Sequence, residues 1–397
     1  MTPPPSDTLP GPRPARPGNG TAARIAVVGL HGHGASHVRR VLELQRAGSA
    51  RLAAVVDPRE PAAGHDAHGT GAPWFPTLGD LLSSSATPVD VVVLSTPIPT
   101  HLPLARAAME AGLDVLLEKP TTASLAEHTE LVAVAERTGR RCQVGFQTFG
   151  SHAVAAAADL LARGEIGDVV ALGAVGTWVR TAAYWARAPW AGRRRMDGRD
   201  VVDGVVTNPL AHAVATALRL GGATTAADVA WVDTDLYRAN PIEADDTSAV
   251  RVQDTAGHRY GFGLTLCAPE HTPARVVVHG TRGELAYEYG HDRLLLRTDA
   301  AQMDKTYGRT SLLDDLLAAR ADDSRSLLCD VRDTGAFMRV LEAVRTGADP
   351  RPIAPEHVEW AGEGDERRPV VRDVARWCAD VARTQRTFAE LGAPWAG

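Results

Sequence analysis

The sequence has little of what marks several large classes of protein. Its four cysteines are scattered along 397 residues with no two-residue spacing, so neither a disulfide framework nor a zinc knuckle is indicated. No apolar run reaches the roughly 18 residues that a membrane-spanning helix needs. Positive charge is not in excess, and a net charge of -6 gives no basis for a nucleic-acid partner. We therefore expect a globular protein with neither a membrane nor a nucleic-acid partner.

Lysine is nearly absent, which makes each lysine informative. Of the 42 basic residues, only Lys119 and Lys305 are lysines, and the others are arginines. Arginine stays protonated near neutral pH, whereas the surroundings of a lysine can tune its pKa. A lysine at a predicted active site is therefore a candidate for the chemistry.

The length and the order of apolar segments indicate two domains. Residues 1–23, rich in proline and glycine and without the apolar run of a signal peptide, predict a disordered tail on a cytoplasmic protein. Across residues 24–147, strands alternate with helices, which is typical of a doubly wound parallel α/β sheet. Residues 148–355 have few helices between strands and predict an α+β domain on a largely antiparallel open sheet. Residues 356–397 predict a C-terminal helical segment that packs back on the body.

Two segments lack apolar periodicity. Residues 299–325 and 361–369 are charged, and we expect surface loops there. Helices are predicted around them, at about 326–345 and 370–391. A further acidic cluster predicts a solvated turn and consists of Glu243, Asp245 and Asp246.

A glycine-rich turn joins the first predicted strand to the first predicted helix. At such a turn, the N-terminus of a helix can hold a pyrophosphate. The usual pattern has glycine at position 31, where this chain has histidine, and we expect Gly32 to supply the missing space. The imidazoles of His31 and His33 could donate to phosphate oxygens; a plain turn without a ligand is the alternative. The candidate cofactor-binding residues here are Gly29, His31, Gly32, His33 and Gly34.

The spacing of His31, His33 and His37 also permits a metal site, because imidazole is a common metal ligand. The sequence offers no nearby carboxylate or thiolate that would complete such a site. No metal is therefore predicted.

Asp57 ends the second predicted strand, where an acid accepts hydrogen bonds from the ribose hydroxyls of NAD. Its charge would repel the additional phosphate of NADP, although Arg59 could partly offset this. The sequence therefore predicts NAD, with NADP possible. Asp57 could instead cap the turn before Pro58.

Glu118-Lys119-Pro120 follows a strand, so its side chains should emerge at the carboxyl edge of the sheet. With four other motifs, it resembles the Gfo/Idh/MocA oxidoreductase family. The resemblance spans roughly residues 24 to 290 and implies a Rossmann domain and a second domain whose open sheet faces the nicotinamide. It implies reversible oxidation of an alcohol on a small carbohydrate-like substrate: a sugar, cyclitol or related polyol. The other motifs are Ala26-Val27-Val28-Gly29, Ser95-Thr96-Pro97 with His101, Gly145-Phe146-Gln147 and Gly164-Glu165-Ile166-Gly167.

The resemblance also implies residue roles. The family lysine that contacts the reacting hydroxyl, often before a cis proline, maps to Lys119 and Pro120. The family also has an acid and a histidine four residues apart on a helix that faces the substrate; Asn208 stands in place of the acid, and His212 is the histidine. His212 would accept the hydroxyl proton, since its ordinary pKa is near neutrality. The further cofactor-site candidates are Thr96, Pro97, His101, Glu118, Lys119 and Gln147.

Each catalytic candidate also has a structural alternative. Asn208 could be a helix N-cap, His212 a packed histidine and Lys119 a solvated loop residue. The segment from Tyr184 to Arg193 resembles the family loop that reaches over the active site. There we expect Trp190 to stack on a sugar ring and Arg193 to donate to hydroxyls or to a cofactor carboxamide, with an exposed basic loop as the alternative.

The sequence leaves two alternative functions open, and the resemblance also bears on the oligomeric state. On the same fold, a lyase or glycosidase could use a transient oxidation without net redox change. A non-catalytic dinucleotide or sugar sensor is compatible with the departures at His31 and Asn208. In relatives the second-domain sheet commonly pairs with a neighbour, so a homo-oligomer, a dimer or tetramer, is implied.

Overall fold

The structure is a computed structural model that describes residues 22–396. The predicted disordered tail therefore lies, up to residue 21, outside the described residues. No helix within this range is both long and apolar enough to cross a membrane.

The N-terminal part is a six-stranded parallel sheet covered by helices. Its central strands are buried along their whole length, as expected when helices cover both faces of a parallel sheet. The strand order is β3-β2-β1-β4-β5-β6. Its strands are β1 (Ala23–Val28), β2 (Ala50–Val56), β3 (Trp74–Phe75), β4 (Val91–Leu94), β5 (Asp114–Leu117) and β6 (Cys142–Val144), and its helices are α1 (His33–Arg46), α2 (Leu78–Ser83), α3 (His101–Glu110) and α4 (Leu125–Thr138).

The second part is built on a nine-stranded sheet. The remaining strands are β7 (Val169–Thr177), β8 (Arg195–Met196), β9 (Arg199–Asp200), β10 (Val229–Arg238), β11 (Thr247–Asp254), β12 (Arg259–Thr265), β13 (Arg275–Gly280), β14 (Gly283–Glu288), β15 (Arg293–Thr298), β16 (Gln302–Thr306), β17 (Arg351–Pro352), β18 (Val358–Ala361) and β19 (Arg368–Val371). The order in the large sheet is β16-β15-β14-β13-β7-β12-β11-β10-β17. Neighbours are antiparallel except at β7–β12 and β10–β17. The predicted fold class is confirmed.

The remaining helices follow β6 in the chain and pack against both sheets. They are α5 (His152–Ala162), α6 (Ala182–Ala186), α7 (Ala211–Leu220), α8 (Leu312–Ala321), α9 (Gly335–Thr346), α10 (Val374–Thr384) and α11 (Phe388–Leu391). Helix α10 lies directly on β7 and β12. A Cβ atom added at Gly263 would lie 2.1 Å from the backbone oxygen of Cys378, so only glycine permits this approach.

The prediction of a loop over residues 299–325 is wrong, because this segment contains β16 and α8. Helix α8 buries leucines together with Asp315, which is fully buried and accepts from Gln143 and Arg325. A buried aspartate interrupts the apolar pattern from which helices are recognised. The loop predicted at 361–369 also contains a 3-10 turn, Gly364–Glu366, and the start of β19.

Two predicted helices have different bounds, and the acidic turn is not solvated. The helix predicted from about 326 begins as α9 at residue 335, and the one predicted over 370–391 is divided into α10 and α11 at Gln385, which has a φ of 52°. Asp245 and Asp246 are buried, contrary to expectation. They accept hydrogen bonds from backbone N–H groups and nearby side chains, and these partners allow carboxylates in the interior.

Candidate active site

The carboxyl ends of the parallel strands gather the predicted cofactor residues at one edge. Gly29 follows β1, Asp57 follows β2, Thr96 lies two residues after β4, Glu118 follows β5, and Gln147 lies three residues after β6. Parallel strands end on the same side of a sheet, and ligands bind at that side in doubly wound folds. Residues far apart in the chain therefore meet in one crevice.

The glycine turn is shaped by close backbone approaches. Gly29 has a φ of 82°, and a Cβ atom there would lie 2.2 Å from the Ser95 backbone oxygen. A Cβ atom at Gly34 would lie 1.9 Å from the backbone oxygen of Gly29. Helix α1 begins at His33 after Gly32, with no side-chain cap and no acid in its first turn. Its leading N–H groups thus have no side-chain partner, and this donor set fits a pyrophosphate.

His31 and His33 project from this turn, with side chains 46% and 51% exposed. Nε2 of His31 lies 3.7 Å from Oδ1 of Asp57. Nε2 of His33 lies 3.1 Å from Nε2 of Gln147, so the β6 end and the glycine turn are in contact. Both imidazoles are thus partly exposed beside the glycine turn, and their predicted role as phosphate donors stays a prediction.

Asp57 is buried, and its carboxylate accepts two backbone hydrogen bonds. Its Oδ2 accepts from Leu30 N and its Oδ1 from Arg59 N, each at 3.0 Å. It therefore braces the glycine turn and caps its own turn. Carboxylate oxygens have further lone pairs, so Asp57 can still accept from ribose hydroxyls.

Glu118 is held by two histidines of α1. Its Oε1 lies 2.8 Å from Nε2 of His37 and 3.3 Å from Nε2 of His33. Although burial acts to raise it, these hydrogen bonds hold the pKa of Glu118 well below its usual range, while Glu118 raises the pKa of His33. The three groups are close enough for a metal ion. The stated reason against a metal, the lack of a carboxylate, is therefore wrong, and mutual hydrogen bonding accounts for the cluster.

His101 stabilises the segment after β4. This histidine is buried, with its ring nitrogens 2.9 Å from the Thr96 carbonyl oxygen and 3.0 Å from that of Pro120. It connects the loop of Thr96 and Pro97 to the Glu-Lys-Pro turn instead of facing the crevice itself. Pro97 is exposed, and its carbonyl accepts from Thr100.

Lys119 reaches across to the second sheet domain. Its Nζ donates to Oδ1 of Asn208 at 2.5 Å and to the Asn208 carbonyl oxygen at 3.1 Å. The peptide bond between Lys119 and Pro120 is cis, as the resemblance implied. Burial lowers the pKa of Lys119. The structure thus joins the predicted catalytic lysine to the predicted substrate-binding asparagine.

Asn208 is neither an N-cap nor a helical residue, contrary to both expectations. Helix α7 begins at Ala211 after Leu210, and Asn208 lies in the preceding turn. The side chain is therefore directed by the turn instead of by helical periodicity. Its Nδ2 donates to Oδ1 of Asp203 at 2.5 Å, while its Oδ1 accepts from Lys119.

His212 lies in the first turn of α7 beside Phe146 and Tyr289, with ring centroids 5.8 and 5.9 Å away. Its Nδ1 is buried and has no hydrogen-bond partner among the described residues. Burial, followed by the charge of Lys119, lowers the pKa of His212 to about 3. The expected ordinary pKa is thus wrong for the protein without substrate, because the site is poorly hydrated and already positive. At neutral pH the ring is uncharged and can accept a proton.

Two residues that contact the candidate site, Asp203 and Arg187, were not singled out from the sequence. Asp203, whose side chain is 1% exposed, accepts from Asn208, from Arg187 Nη2 at 2.9 Å and from Gly192 N at 2.8 Å. The guanidinium of Arg187 lies 3.7 Å from the ring centroid of Tyr184. An irregular loop carries Asp203 and Arg187, so no periodicity marks them; only the segment resemblance indicated this region.

The loop residues that were predicted take different positions. Trp190 lies 4.6 Å from the guanidinium of Arg187 and so belongs to the group around Asp203. The structure does not place Arg193 in this group: its Nη1 is 2.5 Å from Oε1 of Glu243, and both side chains are about half exposed. The arginine whose side chain contacts Asp203 is therefore Arg187, and the role predicted for Arg193 stays a prediction.

Comparisons with known proteins agree with this architecture. A model described as "Oxidoreductase family, NAD-binding Rossmann fold" of GFO/IDH/MocA matches residues 23–146, and the GFO/IDH/MocA C-terminal domain matches residues 154–286. The prediction of an NAD-binding domain is confirmed by the first match.

Among curated proteins, an inositol 2-dehydrogenase from Rhodococcus jostii (strain RHA1) is 38% identical over 149 residues, which are 37% of this chain and 40% of that protein. One from Corynebacterium glutamicum is 31% identical over 153 residues, or 38% of this chain and 44% of that protein. The chain therefore matches less than half the length of these relatives.

Solved structures show the same fold over most of the chain. The WlbA dehydrogenase from Bordetella pertussis, in complex with NADH and UDP-GlcNAcA, aligns with a TM-score of 0.67 at 20% identity, covering 81% of this chain and 95% of that one. A levoglucosan dehydrogenase in complex with NADH and L-sorbose aligns with a TM-score of 0.68 at 16% identity and the same coverage. At these identities the likeness concerns the fold alone.

Proposed function

The chain belongs to the Gfo/Idh/MocA oxidoreductase family, and on that premise we propose that it is an NAD-dependent dehydrogenase or reductase acting on a CH–OH group of a sugar, cyclitol or related polyol. The observation that carries this proposal is the meeting of Lys119 with Asn208, in the turn that leads to His212, at the carboxyl edge of the Rossmann sheet. The partial relatives named inositol 2-dehydrogenase support a polyol substrate.

The residues of the crevice fit a dinucleotide. The N-terminus of α1 would hold its pyrophosphate, with His31 and His33 at the entrance, and Asp57 would accept from a ribose. When bound, nicotinamide supplies the hydride acceptor or donor. The position of Asp57 favours NAD over NADP, since its carboxylate would repel a ribose phosphate.

Lys119 and His212 divide the work on the reacting hydroxyl. Lys119 donates to the hydroxyl oxygen and stabilises the negative charge that develops on it. His212, neutral at physiological pH, accepts the hydroxyl proton. The negative charge that develops on the hydroxyl oxygen favours the imidazolium form, so the pKa of His212 should rise as the proton is transferred. Asn208 keeps the Lys119 ammonium directed into the site.

The proposal is tested by mixing the purified chain with NAD and a panel of sugars and cyclitols while following NADH absorbance. We expect NADH to accumulate with at least one polyol, and Lys119→Ala to reduce turnover by about 10²- to 10⁴-fold while leaving NAD binding intact. Comparison of NAD with NADP tests the preference assigned to Asp57. A flat trace with consumption of the sugar would favour a transient oxidation instead, and binding without any turnover would favour a sensor.

A further inference from the structure

A group of aromatic residues and one arginine lies next to the proposed reaction centre. Tyr289 contacts His212 and lies 6.0 Å from Trp178, centroid to centroid. The guanidinium of Arg180 lies 4.9 Å from the Trp178 ring and 4.7 Å from the Tyr184 ring. These contacts lead continuously from the proposed base to Arg180, and we call this group of contacting residues the pocket.

Several buried donors of this pocket have no partner in the described chain. They are Nε1 of Trp178, the hydroxyl of Tyr289 and Nε of Arg180. Buried polar groups are nearly always hydrogen-bonded, and leaving one unsatisfied costs about 1–3 kcal/mol. Water could satisfy one such group, but three donors in one group of contacting residues beside a proposed base indicate a ligand rich in acceptor oxygens.

The balance of charge singles out Arg180. Around the site, Arg187 pairs with Asp203, Arg309 with Asp292, and Glu118 with His33 and His37. Within residues 22–396, Arg180 contacts no carboxylate, and its bond to Val179 uses only a backbone oxygen. Besides Lys119, which serves the hydroxyl, it is the cation of this group that no acid neutralises.

Contact with two aromatic faces does not explain this arginine. A cation over a ring gains about 0.5–2 kcal/mol, whereas a guanidinium taken partly out of water needs charge-assisted partners. The charge of Arg180 also acts on neighbours: after burial, it is a further cause that lowers the pKa of His271, whose ring stacks on Trp178 at 5.1 Å. The donors without partners therefore lie beside a positive charge that no carboxylate neutralises.

We propose that Arg180, with Trp178 and Tyr289 beside it, binds an anionic oxygen group, a carboxylate or a phosphate, carried by the sugar-like substrate. The inference deepens the proposed function, on which it rests for the position of the reacting carbon. A guanidinium presents paired N–H groups that match carboxylate and phosphate oxygens. The indole and phenol donors complete the set of partners, and the aromatic faces cover the apolar side of the ring.

Binding is measured on the full chain in the presence of NAD, using the fluorescence of the tryptophans that flank Arg180. The probes are D-glucose, D-glucuronate and D-glucose 6-phosphate, which share a ring and differ in charge. We expect at least one anion to bind about tenfold or more tightly than glucose, and this advantage to shrink as salt is added. Which anion gains shows whether the group is a carboxylate or a phosphate.

Two substitutions of Arg180 test whether this residue causes the tighter binding of the anion. Arg180→Gln should remove the preference for the anion, and Arg180→Lys should keep part of it, since the charge remains but the fork is lost. Arg163→Gln, which removes a surface arginine paired with Asp159, is the matched control and should leave the preference unchanged. Equal binding of all three probes, no binding of either anion, or an anion preference that persists in Arg180→Gln overturns the inference.

NADH formation separates this inference from the proposed function. Oxidation of neutral polyols, together with equal binding of glucose and both anions, leaves the dehydrogenase proposal standing and removes the anion site. Anion binding that depends on Arg180, with no NADH formed from any substrate, supports the anion site and contradicts the dehydrogenase proposal.

Discussion

The depressed pKa of His212 makes the stability of the protein depend on pH. The folded state keeps this ring neutral down to about pH 3, because burial and the charge of Lys119 oppose its protonation. In the unfolded chain it takes up a proton below about pH 6.5. Between these values the unfolded state binds more protons, so this contribution to stability is present above about pH 6.5 and is lost as the pH falls.

The substitution His212→Asn removes the titrating ring and, with it, this loss of stability at acid pH. Relative to wild type, we expect the variant to gain about 1–2 kcal/mol of unfolding free energy between pH 8 and pH 5, measured by urea denaturation. Phe146→Leu is the control, since it disturbs the same ring contact without a titrating group and should show a cost independent of pH. A cost of His212→Asn that does not change with pH would contradict a buried neutral ring.

Replacing Asp203 by asparagine and replacing Asn208 by aspartate should shift the pKa of Lys119 in opposite directions. The carboxylate of Asp203, two hydrogen bonds from Lys119, acts to raise the pKa of the ammonium against the effect of burial. Under the proposed mechanism, the alkaline limb of the kcat/KM profile reports Lys119. We expect Asp203→Asn to move that limb to lower pH and Asn208→Asp to move it to higher pH. Shifts of the same sign, or none, would contradict the assignment of this limb to Lys119.

Residues that carry chemistry were predictable where a strand end or a motif marks them. Gly29, Asp57 and Glu118 follow apolar strands directly, so the fold fixes their position at the carboxyl edge. Asp203 and Arg180 could not be found in this way, because the contacts that define them come from tertiary packing between the loop, β7 and the first domain. The environment of His212 was missed for the same reason: desolvation depends on neighbours that are remote in sequence.

Helix α10 packs very closely on strand β12 of the second sheet. At Gly263, an added Cβ atom would meet backbone, which has little freedom to move. We expect Gly263→Ala to destabilise the protein by about 1–3 kcal/mol in urea denaturation, because α10 must shift away from β12. Gly290→Ala, where no atom lies within 4 Å of the added Cβ, should change stability by less than about 1 kcal/mol. Equal effects at both positions would contradict this close approach.

Elements with a regular apolar pattern were predictable, and those stabilised by buried charge were not. The parallel strands contain unbroken apolar runs. Helix α8 was missed because the fully buried Asp315 interrupts its pattern, and the turn at Asp245 was assigned to solvent because aspartates are rarely buried. In both, hydrogen-bond partners distant in sequence reverse the preference of the residue.

At the scale of the whole molecule, α10 also bears on assembly. It covers β7 and β12, so that part of the second sheet is not free for a neighbouring subunit. The homo-oligomer implied by the family stays a prediction and would have to use other surfaces, such as the strands beyond β13. Light scattering of the purified chain measures its mass in solution directly.

The chain returns to its first domain through α8, and Arg320 is one of the side chains that hold α8 there. Arg320 donates to Asp114 at 2.9 Å and to Asp90 at 3.0 Å, and these aspartates are 0% and 8% exposed. Arg320→Ala leaves both carboxylates in the interior with fewer partners, so we expect it to lower the unfolding free energy by about 3 kcal/mol in urea at pH 7. Arg163→Ala, which breaks an exposed pair with Asp159, should cost about 0.5 kcal/mol or less. Similar losses for the two variants would mean that α8 does not hold the domains together through this arginine. A loss confined to Arg320→Ala would show that a segment without apolar periodicity joins the second half of the chain to the Rossmann sheet.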